Sequence, residues 1–282
     1  MTVRAALSEA RARLAAAGVS SPDLDAALLL AMTLGVPRER LALDPDGRLG
    51  DEGLLRFQGL VSLRAERRPM AQILGRAEFW SLEFKVTPDV LSPRPETEML
   101  VEEAVKALRG IASPVVVDIG TGTGCIAIAI AKEVPSAIVH AVDLSPAALD
   151  VARENVRRHG VESRVHLHLG DMFEPLRDVV ATGSVDVVVS NPPYVRRDEE
   201  FDSEILFEPA MALFVDDVPG IYRRIADEAA GFVRAGGALR MELPGAGSGV
   251  VVERIQASAL WRDAAVRVDL ASLPRVVVAT RS

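Results

Sequence analysis

The sequence predicts an α/β protein: a small all-helical domain followed by an open, mostly parallel sheet that closes in an antiparallel hairpin. From Ser113 onward, short β-branched runs alternate with helical stretches, the pattern of strands buried on both faces by helices. The last two runs, from Val266 and Val276, are separated only by a short Ala-Ser-Leu-Pro turn, so they must pair antiparallel. The first 75 residues instead carry apolar side chains at helical spacing.

Taken in order, helices are expected over Ala5 to Ala17, Ser21 to Leu34 and Asp51 to Arg67, with Ser21-Pro22 supplying start chemistry for the second. The partly alternating aromatic run Phe79 to Val86 suggests a strand or hairpin, and proline-rich Thr87 to Pro95 a connector. Strands are expected near Val115–Ile119, Ile138–Val142, Val165–Leu169, Val185–Ser190, Ala238–Glu242, Val266–Leu270 and Val276–Thr280. Ser145-Pro146 opens a helix that runs to Arg158 and is closed by Gly160. The expected organisation is a small helical domain over 1–75, a hairpin and linker over 76–98, and an α/β domain over 99–282.

Composition narrows the function classes. Hydrophobic residues make up 49% and charged residues 26% of 282 residues, which is globular usage. No run approaches the roughly 18 apolar residues of a membrane helix, and MTVRAALSEA lacks a signal peptide's apolar core. A cytoplasmic protein without a membrane partner is expected. The single cysteine, Cys125, excludes an internal disulfide and a cysteine-based zinc cage, and reads as a small packing residue. A net charge of −8 argues against a broad nucleic-acid footprint. Arg64, Arg67 and Arg68 read as a solvated helix end with some potential for docking a partner. His166 and His168 share a strand face, but no third ligand is evident in the sequence, so no metal is expected.

Two constellations carry chemistry. The first strand of the sheet runs into Gly120-Thr121-Gly122-Thr123-Gly124, where glycines let the backbone turn sharply and approach a ligand. Asp118, just before the glycines, suits an ammonium and would repel a pyrophosphate. Asp143 ends the second strand, where a carboxylate can accept ribose hydroxyls, although it can equally serve a helix cap. After the third strand, Asp171 and Met172 are placed to bind an adenine amino group and lie on its ring. This ordered set favours S-adenosyl-L-methionine as cofactor, with S-adenosyl-L-homocysteine as product.

The fourth strand delivers Asn191-Pro192-Pro193-Tyr194 to the same sheet edge. Prolines lack N–H groups and fix their backbone, so the loop presents rigid carbonyl acceptors. An NH2 on an amide or aromatic ring is a poor nucleophile because its lone pair is delocalised. Two acceptors, the Asn191 side-chain oxygen and the Pro192 carbonyl, can hold both hydrogens and turn the lone pair toward an electrophilic methyl. Tyr194 can stack on the planar group and exclude water. The scheme needs no strong general base.

A parallel sheet ending in such a hairpin is more like a Class I methyltransferase, with its Rossmann-like seven-stranded sheet, than a dehydrogenase. Over nearly the whole chain the sequence resembles the release factor glutamine methyltransferases, the HemK/PrmC family. The resemblance is carried by Pro69 and Gly75 in RRPMAQILGRAEFWSLEFKV, by Leu91-Ser92-Pro93-Arg94-Pro95-Glu96-Thr97-Glu98, by Asp118 to Gly124, by Asn191 to Tyr194, and by Phe207-Glu208-Pro209 with Ala212-Leu213. It implies methylation of the glutamine side-chain nitrogen in the Gly-Gly-Gln motif of class I peptide chain release factors, with the helical domain engaging that partner. Arg94, in a proline-flanked loop, is expected over the cofactor cleft as a substrate-binding residue. The sequence departs from the family in a short acidic segment between Tyr194 and Phe207, and in the lack of a glutamine after Arg240-Met241-Glu242-Leu243-Pro244-Gly245. Both departures bear on partner docking. A sister group that modifies a ribosomal protein shares the Asn-Pro-Pro-Tyr centre, as do enzymes that methylate the amino group of adenine in DNA. The latter need a sizeable recognition region and a basic groove that an acidic chain of this length does not offer.

Overall fold

A computed structural model of the protein describes residues 1–198, 200–245 and 248–282. It divides into two compact units, one comprising Met1–Arg76 with Phe201–Phe207, the other Ala77–Glu200 with Glu208–Ser282.

The first unit is helical. Helix α1 (Val3–Ala16) starts where the Thr2 side chain accepts the Ala5 N–H, and α2 (Pro22–Leu34) ends at Gly35 with φ 65°. Helices α3 (Asp51–Ala65) and α4 (Met70–Leu74) complete it. Leu14, Leu29, Leu30, Phe57 and Val61 form its core.

Here the expectation of a solvated basic helix end is overturned. Arg64 follows Phe57 and Val61 on the inward face of α3 and is only 3% exposed. Its Nε donates to Asp25 at 2.7 Å, its Nη2 to Glu204 at 2.8 Å and its Nη1 to the Arg68 carbonyl at 2.9 Å. Arg67 pairs with Asp202 at 2.7 Å and Glu204 at 3.0 Å, and the Arg68 guanidinium lies 5.1 Å from the Phe207 ring centre. Gln72 donates to the Phe207 carbonyl at 2.8 Å. The acidic segment that departs from the family pattern thus neutralises the basic cluster of its own chain, which leaves little of that charge for a phosphate backbone.

The second unit opens with a hairpin of β1 (Arg76–Phe79) and β2 (Leu82–Lys85), joined by Trp80 and Ser81 at φ 53° and 56°. After α5 (Glu98–Leu108) come β3 (Val115–Ile119), α6 (Cys125–Glu133), β4 (Ile138–Asp143), α7 (Pro146–Arg158), β5 (Val165–Leu169) and β6 (Val185–Ser190). Then follow α8 (Ala210–Leu213), α9 (Val218–Phe232), β7 (Val233–Glu242), α10 (Ser248–Gln256), β8 (Trp261–Val268) and β9 (Pro274–Arg281). One seven-stranded sheet runs in the order β5-β4-β3-β6-β7-β9-β8. The first five of these are parallel, and β9 is antiparallel to both β7 and β8.

Side chains alternate into two cores: Val116, Val187 and Val189 pack with α5 and α6, whereas Val117, Val188 and Leu239 pack with α9 and α10. The chain leaves β3 first toward β4 and β5, then returns to β6 on the other side. That reversal opens a crevice at the carboxyl ends of β3 and β6, where doubly wound sheets bind ligands.

Three strands are longer than the hydrophobic runs suggest, among them β9, which runs from Pro274 to Arg281. Strand β7 begins at Val233 because its pairing with β6 continues past Gly236-Gly237 through an irregularity near Val185–Val187. Strand β8 begins at Trp261, paired with Arg281, and stops at Val268, leaving Leu270 exposed in the turn. The histidine reading gains a member. His140 on β4 faces His166 across the pairing, and its Nδ1 lies 3.0 Å from Nε2 of His168. Burial and the two neighbouring histidines push the His140 pKa down to about 4, so that imidazole is neutral near pH 7. Among the described residues no group of three or more metal-ligating side chains is arranged to hold an ion.

Candidate active site

Three strand ends meet at the crevice. Beyond Ile119 the chain turns through Gly120, Gly122 and Gly124 at φ 75°, 54° and 80°, which only glycine adopts without strain. At Gly124 a Cβ would also lie 3.3 Å from Ile128 and 3.4 Å from Ala152. The Gly120 and Thr121 N–H groups donate to the Val142 carbonyl at 2.9 and 3.0 Å, folding the loop over the end of β4.

A cavity of about 270 Å³ opens there. Of the residues singled out from the sequence, Gly120, Gly122, Asp143, Asp171, Met172, Asn191, Pro192 and Pro193 line it. Asp118, Thr121, Thr123, Gly124, Tyr194 and Arg94 are not on its wall. Asp89, Val90 and Leu91 from the connector, and Met211, Ala212, Ile221 and Ile225 from α8 and α9, also line it. Apart from the polar Asp89, these are apolar positions that periodicity marks as ordinary. Only the resemblance had drawn attention to Leu91 and Ala212.

Asp143 links the glycine loop to the turn that opens α7. Its Oδ2 accepts the Gly122 N–H at 2.8 Å and its Oδ1 the Ser145 N–H at 2.9 Å, while the Ser145 hydroxyl caps α7 at Ala148. The carboxylate is thereby fixed on the cavity wall with lone pairs remaining for hydroxyl donors. Asp171 is also on the wall, but its two oxygens take the Arg224 guanidinium at 3.3 and 2.7 Å. Met172, at φ 48° and 9% exposed, follows it on the cavity wall.

Asp118 lies beneath the glycine loop, fully buried. Its Oδ2 accepts the Thr121 hydroxyl at 2.6 Å and its Oδ1 has no hydrogen-bond partner. Burial, with the nearby Asp143 charge, pushes its pKa up to about 7 against the opposing Thr121 bond. A buried carboxylate with one unsatisfied oxygen beside a turn of glycine N–H groups suits a ligand that brings a cation. The residues present therefore fit an adenosylmethionine ammonium. Cys125 is buried, and burial raises its thiol to about pKa 12, so it packs rather than reacts.

At the reacting centre, the Ser190 hydroxyl ties the end of β6 to the Ile119 carbonyl at 2.8 Å. The Asn191 side-chain Nδ2 donates to Thr97 Oγ1 at 3.3 Å. Tyr194 differs from the expected stacking platform: it is off the cavity wall, and its hydroxyl donates to Glu242 Oε1 at 3.5 Å. Burial and the Glu242 charge raise the Tyr194 pKa to about 12, so it stays protonated. Arg94, expected over the cleft, instead pairs with the buried Glu208, whose Oε1 accepts the Ser92 N–H at 2.9 Å. It anchors the proline-rich connector to the start of the Pro209 segment. Thr97, Glu208 and Glu242 stand out as polar neighbours of the site only in the folded structure. The available signal for Glu242 was its position at the carboxyl end of a parallel strand, on the edge that also carries Asn191.

Residues 95–241 match the family model for the methyltransferase small domain, and residues 5–75 match that for the PrmC N-terminal domain. The release factor glutamine methyltransferase of Moorella thermoacetica is 38% identical over 100% of this chain and 99% of its own. The chain belongs to the release factor glutamine methyltransferase family. Another member, from Mycolicibacterium smegmatis, is 42% identical over 99% of this chain and 98% of its own. The solved protein-(glutamine-N5) methyltransferase (release factor-specific) of Alicyclobacillus acidocaldarius is 30% identical, covering 71% of this chain and 99% of that one, with a TM-score of 0.44. Membership in the release factor glutamine methyltransferase family makes this chain an adenosylmethionine-dependent methyltransferase.

A first prediction concerns Asp118. Asp118→Asn should weaken adenosylmethionine binding by about 10- to 100-fold, the worth of a hydrogen bond to a charged group. In the unsubstituted enzyme, affinity should rise as pH rises through about 7, because the ionised carboxylate pairs with the ammonium. Calorimetric titration across pH 6 to 8 checks both; a flat profile with unchanged affinity for the variant would remove Asp118 from the site.

Proposed function

We propose that the protein transfers a methyl group from S-adenosyl-L-methionine to the side-chain amide nitrogen of the glutamine in the Gly-Gly-Gln motif of class I peptide chain release factors, in the cytoplasm. Adenosylmethionine, when bound, supplies an electrophilic methyl on a sulfonium and departs as the thioether S-adenosyl-L-homocysteine. Asp118 and Asp143 are suited to hold its ammonium and ribose hydroxyls, and Met172 to lie against its adenine.

The observation that carries this reading is the orientation of Asn191. Its amide nitrogen is occupied by Thr97, so its Oδ1 is the group left to accept from a substrate NH2. Pro192 has no N–H, and its carbonyl is the second acceptor. Held by two acceptors, the amide nitrogen loses rotational freedom and directs its lone pair at the methyl carbon. With adenosylmethionine bound, an N–C bond would form as its S–C bond breaks, and the nitrogen would then shed a proton to solvent. Tyr194, kept protonated, does not serve as base, which fits a step whose nitrogen becomes acidic only on methylation. The absorption of Arg64 and Arg67 into internal ion pairs supports a protein substrate over a nucleic acid.

The test is transfer of labelled methyl to a purified class I release factor, to the same factor with the Gly-Gly-Gln glutamine replaced, to ribosomal proteins and to adenine-containing DNA. Label on the intact factor alone is expected. Label only on ribosomal protein or only on DNA would overturn the substrate while leaving the cofactor site in place.

A further inference from the structure

The carboxylate of Glu242 takes no part in the proposed chemistry. It ends β7, is 3% exposed, and its Oε2 has no hydrogen-bond partner. A buried acceptor left open is costly, and an apolar residue of similar size would be better tolerated by the core. Such a group persists where the surrounding structure has a use for it.

Its neighbours indicate that use. Tyr194 donates to Oε1 at 3.5 Å, and Tyr222 donates to the Glu242 backbone carbonyl at 2.6 Å, fixing the residue from α9. The Thr97 hydroxyl faces the carboxylate and favours its ionised form, without completing a bond to Oε2. Thr97 also accepts the Asn191 amide N–H. A hydroxyl has one proton. If that proton is directed to Glu242, the Thr97 oxygen presents only lone pairs to Asn191 and can receive only its NH2. With the carboxylate absent, the hydroxyl is free to donate to Asn191 Oδ1 instead, and the amide can invert.

We propose that Glu242 is a positioning residue that acts through Thr97 to hold the Asn191 side chain with its oxygen, and not its nitrogen, toward the substrate amide. The proposal rests on the acceptor role of Asn191 described above. In the inverted orientation Asn191 would offer donors to a substrate NH2 that itself only donates, so the error repels rather than weakens.

Protonation of Glu242 has the same consequence as its removal, since a carboxylic acid can donate to Thr97 and reverse the relay. Burial and the nearby Glu96 charge raise its pKa, while Thr97, Tyr194 and the charge of Arg275 hold it down; the balance is about 7. The buried Tyr222 and the Cys125 thiol, both neutral near pH 7, also sense the Glu242 charge. Turnover should therefore be fullest above pH 7 and decline as pH falls through that value.

The experiment compares Glu242→Gln, Thr97→Val, Thr97→Ser and Asn191→Ala in the full chain, measuring kcat and KM with a release factor, calorimetric affinity for adenosylmethionine, and thermal unfolding. Glu242→Gln and Thr97→Val are expected to lower kcat by about 100-fold, the scale of a misplaced reacting group. Cofactor affinity should stay within about twofold, Thr97→Ser should recover most of the turnover, and Glu242→Gln should lose the decline below pH 7. If Glu242→Gln fails to fold, the contrast between Thr97→Val and Thr97→Ser decides the matter. A folded Glu242→Gln or Thr97→Val enzyme with near-normal kcat, while Asn191→Ala is inactive, overturns the relay alone. An active Asn191→Ala overturns the acceptor reading and the relay with it.

Discussion

Replacing Asn191 with alanine is expected to lower turnover by about 10²- to 10³-fold, the usual loss when one preorganised polar group is removed from a transition state. The side chain sits on the cavity wall at the end of β6, with its nitrogen held by Thr97. Alanine leaves the Pro192 carbonyl as a single acceptor, and one acceptor cannot fix the rotation of an NH2 group. The lone pair then stays conjugated with the carbonyl and points away from the methyl. Because Asp118 and Asp143, the groups proposed to hold the cofactor, belong to other strands, adenosylmethionine affinity should change by less than about tenfold, the worth of a single modest contact. Single-turnover rates with saturating cofactor separate the two effects. Turnover within about tenfold of the unsubstituted enzyme would sink the acceptor pair.

Arg64→Ala should destabilise the helical unit by about 3 to 5 kcal/mol, the cost of stranding a buried charge. Its side chain is 4% exposed and that of Asp25 is 7% exposed, so neither is screened by solvent. The Asp25 and Glu204 bonds more than offset the pull of burial and leave the Arg64 pKa raised. Removing the guanidinium leaves Asp25 without its 2.7 Å partner inside the unit and releases Glu204. The double variant Arg64→Met/Asp25→Leu should recover much of the loss, since an apolar pair of similar volume avoids desolvating two ions. Hydrogen exchange over residues 51–74 and urea unfolding would measure this. A loss below about 1 kcal/mol for Arg64→Ala would mean that the network behaves like a surface ion pair.

Much of the fold is written in local patterns. Strands β3, β5 and β6 have the bounds expected from the sequence; in β3 and β6 valine predominates because nearly every side chain is buried, which leaves no polar side to dilute the signal. Strands β7 and β8 extend beyond their apolar runs because their outer halves are held by ladder pairing, including Trp261 with Arg281, which no hydrophobic period encodes. The histidines follow the same division. His166 and His168 are two residues apart and visibly share a face, whereas His140 joins them only because β4 pairs with β5 in one particular register.

The site divides along the same line. The glycine turn, Asp143 and Asn191-Pro192-Pro193 could be placed from the sequence because each follows directly from the end of a strand, and strand ends of a parallel sheet share an edge. The orphaned oxygen of Asp118, the pairing of Arg94 with Glu208 and the approach of Glu242 to Thr97 could not. By itself the sequence determined the fold class, the family resemblance and the residue types at the crevice, since these rest on periodicity, turn chemistry and short motifs. Only the tertiary structure decided which of those side chains reach the cavity, which polar atoms remain unsatisfied and which charges cancel one another. Those properties depend on residues as far apart as Arg64 and Glu204, or Thr97, Asn191 and Glu242, whose proximity is fixed by packing and register rather than by any local spacing.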